Sequence, residues 1–379
     1  MNIVYDTQIF RQQRHGGISR YFREIAARIG RMPQASALIL APNHRNADLS
    51  DLGWRDAIAW GSPSASKTRW QRFGTRWAQR AQGAQGAQGA TMAAFRPDIV
   101  HEAYFLGPII HGDKPPLTVR TIYDMLQEKS RAMFPSNDRT VECKHASAHR
   151  ADHVICISNS TKRDVMETLN LPEHKVTVTH LASSFSHRPQ HEERRDNSRK
   201  PFVLYVGDLG LYKNFARLVA ALGGSRLLRD IDLHCFGGGD LKADEWQTID
   251  AAGVARERIV HHQGSDEQLA DLCAAAECFV YPSLYEGFGI PPLEAMQCGC
   301  PVVCSNTSSI PEVVGDAGVY FDPLDVDAIR HAVEWVVSSE PLKFALRAKG
   351  TVRARTFSRD RCAAETAAVY RTALARQGK

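Results

Sequence analysis

A chain of 379 residues exceeds what one hydrophobic core fills, so two or three domains are expected. Hydrophobic residues at 43% and charged residues at 23% sit at globular averages, which excludes wholesale disorder and fibrous repeats. The net charge of +5 is uneven: residues 1–190 hold 25 Lys and Arg against 16 Asp and Glu, and residues 191–379 hold 22 against 26, so the basic half should face an anionic partner.

The opening MNIVYDTQIFRQQRHGG lacks the basic start, apolar middle and small-residue cleavage site of a signal peptide. No run of 18 apolar residues reads as a membrane span, so a cytoplasmic location is expected. Short β-rich runs alternate with amphipathic stretches, the pattern of βα units feeding parallel sheets. In the first half the strands are read at Ile3–Tyr5, Ala37–Leu40, Ile99–His101, Thr118–Ile122, Val154–Ile157 and Val176–Thr179. After the first of these, Gly16 and Gly17 form a turn into the helical ISRYFREIAARI, placing flexible backbone and helix amides where a diphosphate would sit.

KTRWQRFGTRWAQR sets Trp70, Phe73 and Trp77 on one helical stripe with Arg69, Arg72, Arg76 and Arg80 beside it. Such a stripe suits the headgroup region of an anionic membrane, and equally a surface helix packed on its own domain. No other basic cluster adds to it, so nucleic acid is not expected as a partner. The following AQGAQGAQGA repeat reads as a flexible loop. His145, His149 and His153 fall four apart on what reads as one helix leading into a strand, an arrangement that needs no metal.

Ser183–Lys200 is polar and charged, as an exposed linker is, and divides the chain. Beyond it FVLYVG, IDLHCFG, RIVHHQG, CFVYPS, PVVCS and GVYF read as strands buried on both faces. FGGGD (Phe236–Asp240) lacks the GxGxxG spacing of a dinucleotide site and is assigned to the wall of a nucleotide pocket. The nine cysteines are odd in number and form no CxxC pair, so even Cys298, Cys300 and Cys304 read as buried thiols rather than a zinc site.

The stretch from Tyr281 to Pro323 is the most informative. A strand ends at Tyr281, a loop carries Glu286, Gly287, Phe288 and Gly289, and a helix opens near Pro291, a position that tolerates proline. Amides at such a helix start bind phosphate. Glu286 and Glu294 flank it, and ionised carboxylates that accept two hydroxyl donors suit a sugar.

EGFGIPPLEAM with its Glu286–x7–Glu294 spacing, followed by CGCPVV and SSIPEVVGDAG, resembles the signature of retaining glycosyltransferases of the GT-B fold, family 4. YVGDLGLYKNFARLVAA, SDEQLADLCAAAECFVYPS, ICISNSTKRDV and FSRDRCAAETAAVYR are similar to further family elements in family order, so the resemblance covers nearly the whole chain. It implies two Rossmann-like parallel-sheet domains facing across a cleft: residues 1–183 on the acceptor side, 198–356 binding the nucleotide sugar, and a C-terminal helix, 357–379, returning to the first domain.

By the same resemblance Glu294 holds the ribose hydroxyls, Glu286 contacts the donor sugar, and the backbone of Gly287, Phe288, Gly289 and Ile290 meets that donor, as do Gly16 and Gly17. Lys213 neutralises the departing diphosphate, a role that grows in the transition state. Asp124, in TIYDM, is the candidate for orienting an acceptor hydroxyl or the sugar, although Tyr123 stands where many relatives carry histidine, and Asp208 where they carry arginine. The implied activity is metal-independent, retaining hexosyl transfer without a cofactor. GGISRYF is similar to enzymes using GDP-mannose or GDP-deoxyhexoses, with a UDP-sugar the same-class alternative. The implied acceptor is a glycan or lipid-linked glycan of cell-surface polysaccharide, such as lipopolysaccharide O-antigen, reached from the inner membrane face. A nucleotide-sugar epimerase and a non-catalytic sugar-nucleotide-binding partner are the readings from other classes.

Overall fold

The computed structural model describes residues 1–6, 8–12, 16–40, 46, 49, 58–60, 94–102, 115–183, 185 and 200–378. They group into two compact units, one of residues 1–157, 161–181 and 359–379, the other of 158–160 and 182–358.

The first unit is built on a parallel sheet of seven described strands, β1 (Asn2–Tyr5), β2 (Ser36–Leu40), β3 (Ile58–Trp60), β4 (Ile99–Glu102), β5 (Leu117–Ile122), β6 (His153–Cys156) and β7 (Val176–Val178). Their spatial order is β3-β2-β1-β4-β5-β6-β7. Helices α1 (Gln8–Gln12), α2 (Gly17–Gly30), α3 (Leu126–Lys129), α4 (Thr140–Arg150) and α5 (Asn159–Leu169) connect them. β3 escaped the sequence reading. The strand starting at His153 also separates that residue from His145 and His149, because α4 ends at Arg150, so the three do not share a helix face.

Burial on both faces explains the apolar Ile3, Val4 and Tyr5 of β1, whereas the equally buried β4 follows Ile99 and Val100 with His101 and Glu102. In α2 the buried positions Ser19, Tyr21, Phe22, Ile25, Ala26 and Ile29 recur at steps of three and four, one stripe of a 3.6-residue helix.

The second unit has six described parallel strands, β8 (Phe202–Val206), β9 (Asp232–Phe236), β10 (Ile259–His262), β11 (Cys278–Tyr281), β12 (Val302–Ser305) and β13 (Gly318–Phe321), in the order β10-β9-β8-β11-β12-β13. Its helices are α6 (Phe215–Gly223), α7 (Ala243–Ala251), α8 (Asp266–Ala275), α9 (Ile290–Gln297), α10 (Ile310–Val314), α11 (Val326–Ser338) and α12 (Glu340–Ala354). Local signals set their starts: Ser265 and Gln268 form a capping box on α8, and the Asp325 carboxylate accepts from the Asp327 and Ala328 amides to cap α11. The last helix, α13 (Arg359–Arg376), groups with the first unit and buries Cys362, Ala363, Thr366, Ala367 and Tyr370 there.

In each sheet the chain steps outward from one central strand and then crosses to its other side, between β1 and β4 and between β8 and β11. Loops leaving the carboxyl ends of strands at such a reversal diverge and open a crevice, where open α/β sheets bind ligands.

Candidate active site

At the reversal of the second sheet, Lys213 follows β8 and Glu286 follows β11, and the two side chains meet as an ion pair of 2.7 Å, 12% and 14% exposed. The Lys213 ammonium also donates to the Tyr281 hydroxyl at 3.3 Å, and it lies 5.1 Å from the Tyr212 ring centre and 5.4 Å from that of Tyr281. Burial works against charge on Lys213, but Tyr281, Glu286 and Tyr212 outweigh it, so the ammonium titrates above the ordinary lysine range. Burial also lifts the Tyr281 phenol well above its usual value. The result is a permanent cation held at the crevice.

Neighbouring residues hold this pair in place. The Asn214 amide, buried, donates to the carbonyls of Pro282 (3.0 Å) and Pro323 (2.7 Å), tying the loop after β8 to those after β11 and β13. Ser308 accepts from the Glu286 amide at 2.9 Å, and the Ser309 hydroxyl reaches the Glu286 and Phe288 carbonyls, both at 2.8 Å. Ser158, grouped with this unit, donates to the Gly287 carbonyl at 2.7 Å. The Phe288 ring is buried against Phe357, so this residue anchors the loop through its side chain.

Gly289 precedes α9, whose first residue is Ile290, one position ahead of the expected start, with prolines in its first turn. Glu294 lies on α9, 8% exposed, and accepts from the Ser183 hydroxyl at 3.4 Å; Ser183 in turn accepts from the Phe185 amide at 2.9 Å. On the other side of β8, Asp208 is exposed and turned toward its own loop, its carboxylate accepting from the Gly210 amide at 3.3 Å and its carbonyl from Tyr205 at 2.6 Å. FGGGD abuts this turn: at Gly238, with φ of +77°, an added Cβ would come within 2.9 Å of the Asp208 Cα, so only glycine fits.

The first unit carries the remaining candidates. The Gly16 carbonyl accepts from the Arg20 amide and the Ser19 hydroxyl, both at 3.0 Å, and Gly17 is exposed at the start of α2. Asp124 follows β5; its carboxylate accepts from the Leu126 amide at 3.0 Å, and its carbonyl from the fully buried Lys144 at 3.0 Å. Lys144 also bonds Glu128 at 2.8 Å. Tyr123 is buried, its ring 6.1 Å from Tyr21 and 6.5 Å from Phe22. Trp70, Trp77, Arg69, Arg72, Arg76 and the AQG repeat lie outside the described residues.

Sequence reasoning missed the charges at the first sheet's reversal. Arg120 on β5 and Glu102 at the end of β4 form a fully buried ion pair, and Asp6 follows β1 nearby. Burial lowers the Arg120 pKa to about 10 despite the attraction of Asp6. His101 bonds Tyr370 on α13 at 2.5 Å and Thr121 at 2.8 Å, and burial, with Arg120 adding repulsion, pushes its pKa down to about 3. The signal was an arginine inside the apolar run LTVRTI and a glutamate closing IVHE.

The family description "Glycosyl transferases group 1" matches residues 186–353, and "Glycosyltransferase Family 4" matches residues 15–182. O-antigen chain mannosyltransferase B of Escherichia coli is 34% identical over 242 residues, 60% of this chain and 62% of the relative. MMP alpha-(1->4)-mannosyltransferase of Mycolicibacterium hassiacum is 31% identical over 62% of this chain and 58% of its own length. The chain thus spans less than two thirds of these curated relatives. Among solved structures, sucrose-phosphate synthase from Thermosynechococcus elongatus aligns with a TM-score of 0.77 at 18% identity, covering 99% of both chains. Anabaena HepE in complex with UDP and glucose aligns at 0.72 with 16% identity, covering 98% of this chain and all of the other.

Proposed function

The chain belongs to the group 1, family 4 glycosyltransferases and has their GT-B fold, and on that footing we propose that it moves a hexose from a GDP-sugar to a glycan or lipid-linked glycan, with retention at the anomeric carbon. Mannose or a deoxyhexose is the sugar and cell-surface polysaccharide the product, a reading supported by the mannosyltransferase relatives and by GGISRYF. The enzyme works at the inner face of the cytoplasmic membrane.

The observation that carries the proposal is the Lys213–Glu286 pair at the sheet reversal with Glu294 on the next helix. Glu294, pre-set by Ser183, accepts the ribose hydroxyls. Lys213 faces the diphosphate and stabilises the charge that grows as the glycosidic bond breaks. Glu286 takes the sugar's hydroxyls as acceptor. The departing diphosphate itself takes the acceptor's proton on the same face, which retains configuration, and Asp124 orients the acceptor hydroxyl. Cation and amides carry the negative charge, so the scheme uses no metal.

Thermal unfolding against GDP, UDP, ADP, dTDP and CMP tests this. A nucleotide at about 100 times its dissociation constant adds about 2.7 kcal/mol, a midpoint shift of a few degrees. Selective stabilisation by GDP, lost in Glu294→Ala, is the expected result. Selectivity for UDP replaces the donor, and no response to any nucleotide overturns the reading.

A further inference from the structure

Thr307, Ser308 and Ser309 lie in the turn between β12 and α10, and all three hydroxyls serve one stretch of chain, residues 283–288 after β11. Thr307 donates to the carbonyls of Ser283 (3.4 Å) and Leu284 (3.1 Å), Ser308 accepts from the Glu286 amide at 2.9 Å, and Ser309 donates to the carbonyls of Glu286 and Phe288, both at 2.8 Å. Regular backbone cannot do this. Successive side chains of a strand alternate between faces and those of a helix point about 100° apart, so three neighbours reach one loop only where the chain is kinked. The kink is at Ser308, whose φ of +51° lies in the left-handed region.

Serine is not at ease in that conformation. Glycine enters it without cost and asparagine tolerates it, whereas the Cβ of other L-residues crowds the neighbouring carbonyl. Of the five described non-glycine residues with positive φ, two belong to this site: Asn214, next to Lys213 in the chain, and Ser308, bonded to Glu286. Strain of this kind persists where the surrounding structure imposes it, and it gathers at functional sites. A glycine at position 308 would relieve it and forfeit the hydroxyl that fixes the Glu286 amide.

We propose that Ser308 is a positioning residue for the donor sugar: its strained turn holds the main chain of Glu286 so that the carboxylate meets the sugar hydroxyls. The proposal rests on the reading of Glu286 as the sugar contact. Glu294, read as the ribose contact, stands on α9 and is bonded to Ser183, away from this turn. The turn therefore governs the sugar and leaves the nucleotide alone.

Calorimetric titration with GDP and GDP-mannose, and with UDP and UDP-glucose, tests this, together with hydrolysis of the sugar nucleotide in the absence of acceptor. Ser308→Gly and Ser308→Ala both remove the hydroxyl, but only the first relaxes the backbone. Both should bind the nucleoside diphosphate as wild type does, bind its sugar conjugate about tenfold more weakly and hydrolyse it about tenfold more slowly. Ser308→Gly should nonetheless melt about 2–4 °C above Ser308→Ala. Adding Ser308→Gly to Glu286→Ala should slow hydrolysis no further, because the serine acts through that glutamate.

Sugar-nucleotide binding equal to wild type, or a parallel loss of nucleoside diphosphate binding, overturns the proposal. So does a glycine variant that melts no higher than the alanine variant, or full additivity with Glu286→Ala. Wild type that binds none of the four ligands overturns the donor reading beneath it as well.

Discussion

The two sheets reverse their strand order in the same way yet treat charge at that point oppositely. In the first, Arg120 and Glu102 are sealed from solvent and His101 is bonded on both ring nitrogens. In the second, Lys213 and Glu286 keep 12% and 14% of their surface open. A sealed pair has no solvent route by which to change partners, and its desolvation cost is recovered only while both members are present. A pair at the rim can trade a carboxylate for a phosphate. Identical topology therefore supplies a strut in one unit and, in the proposed function, a ligand contact in the other, and burial separates the two.

The largest effect that would break this contrast is in the strut. Arg120→Met leaves the buried Glu102 with only the exposed Arg150, 3.5 Å away, and should cost about 3 kcal/mol in denaturant unfolding. Pairing it with Glu102→Leu should recover most of the loss; a single variant of wild-type stability would show that the pair is not sealed.

Next, Lys213→Ala should lower kcat for sugar transfer by about 10²–10³-fold while costing less stability than Arg120→Met. Lys213→Arg, which keeps the charge, should retain part of the rate. Unfolding on the scale of Arg120→Met would make Lys213 a strut as well.

A third test reads protons. His101 folded titrates at about 3 and unfolded near 6.5, so its neutral form is free of cost above pH 6.5. As pH falls below that value the unfolded chain takes up a proton the folded chain refuses, and stability drops by up to about 1.4 kcal/mol per pH unit until pH 3. His153 and His234, both lowered by burial to about 4, act with the same sign over a shorter range. His101→Gln should flatten the slope between pH 6 and 4 by about one proton; an unchanged slope would mean that His101 is not sealed. The smallest effect is at Ser183: Ser183→Ala should weaken nucleotide binding by about tenfold or less, about 1 kcal/mol, with kcat unchanged.

Strand runs such as FVLYVG were legible because strands buried on both faces need continuous apolar sequence, and α9 because prolines and a preceding glycine mark its start. β3 was not legible, since three residues, Ile58–Trp60, carry too little periodicity against flanking Asp, Gly and Pro. Lys213 and Glu286 were each legible as candidates, but not as partners: 73 residues separate them, and only the sheet order places their loops side by side. Asn214 carried no signal of its own within YVGDLGLYKNFARLVAA and is a bolt between three loops. Arg120 illustrates the converse, a charge visible in an apolar strand whose compensation lies on other strands.

α13, the last helix, completes the unit that the first residues begin. On a ribosome, β1 to β7 emerge early, but His101 has no Tyr370 to bond and the surface covered by Ala363 and Ala367 stays open until residue 376 has been made. The second unit, contiguous apart from Ser158–Ser160, needs no such wait. The domain synthesised first is thus the last to be closed, and a premature stop before α13 would spare the second unit while leaving the first exposed to aggregation and proteases.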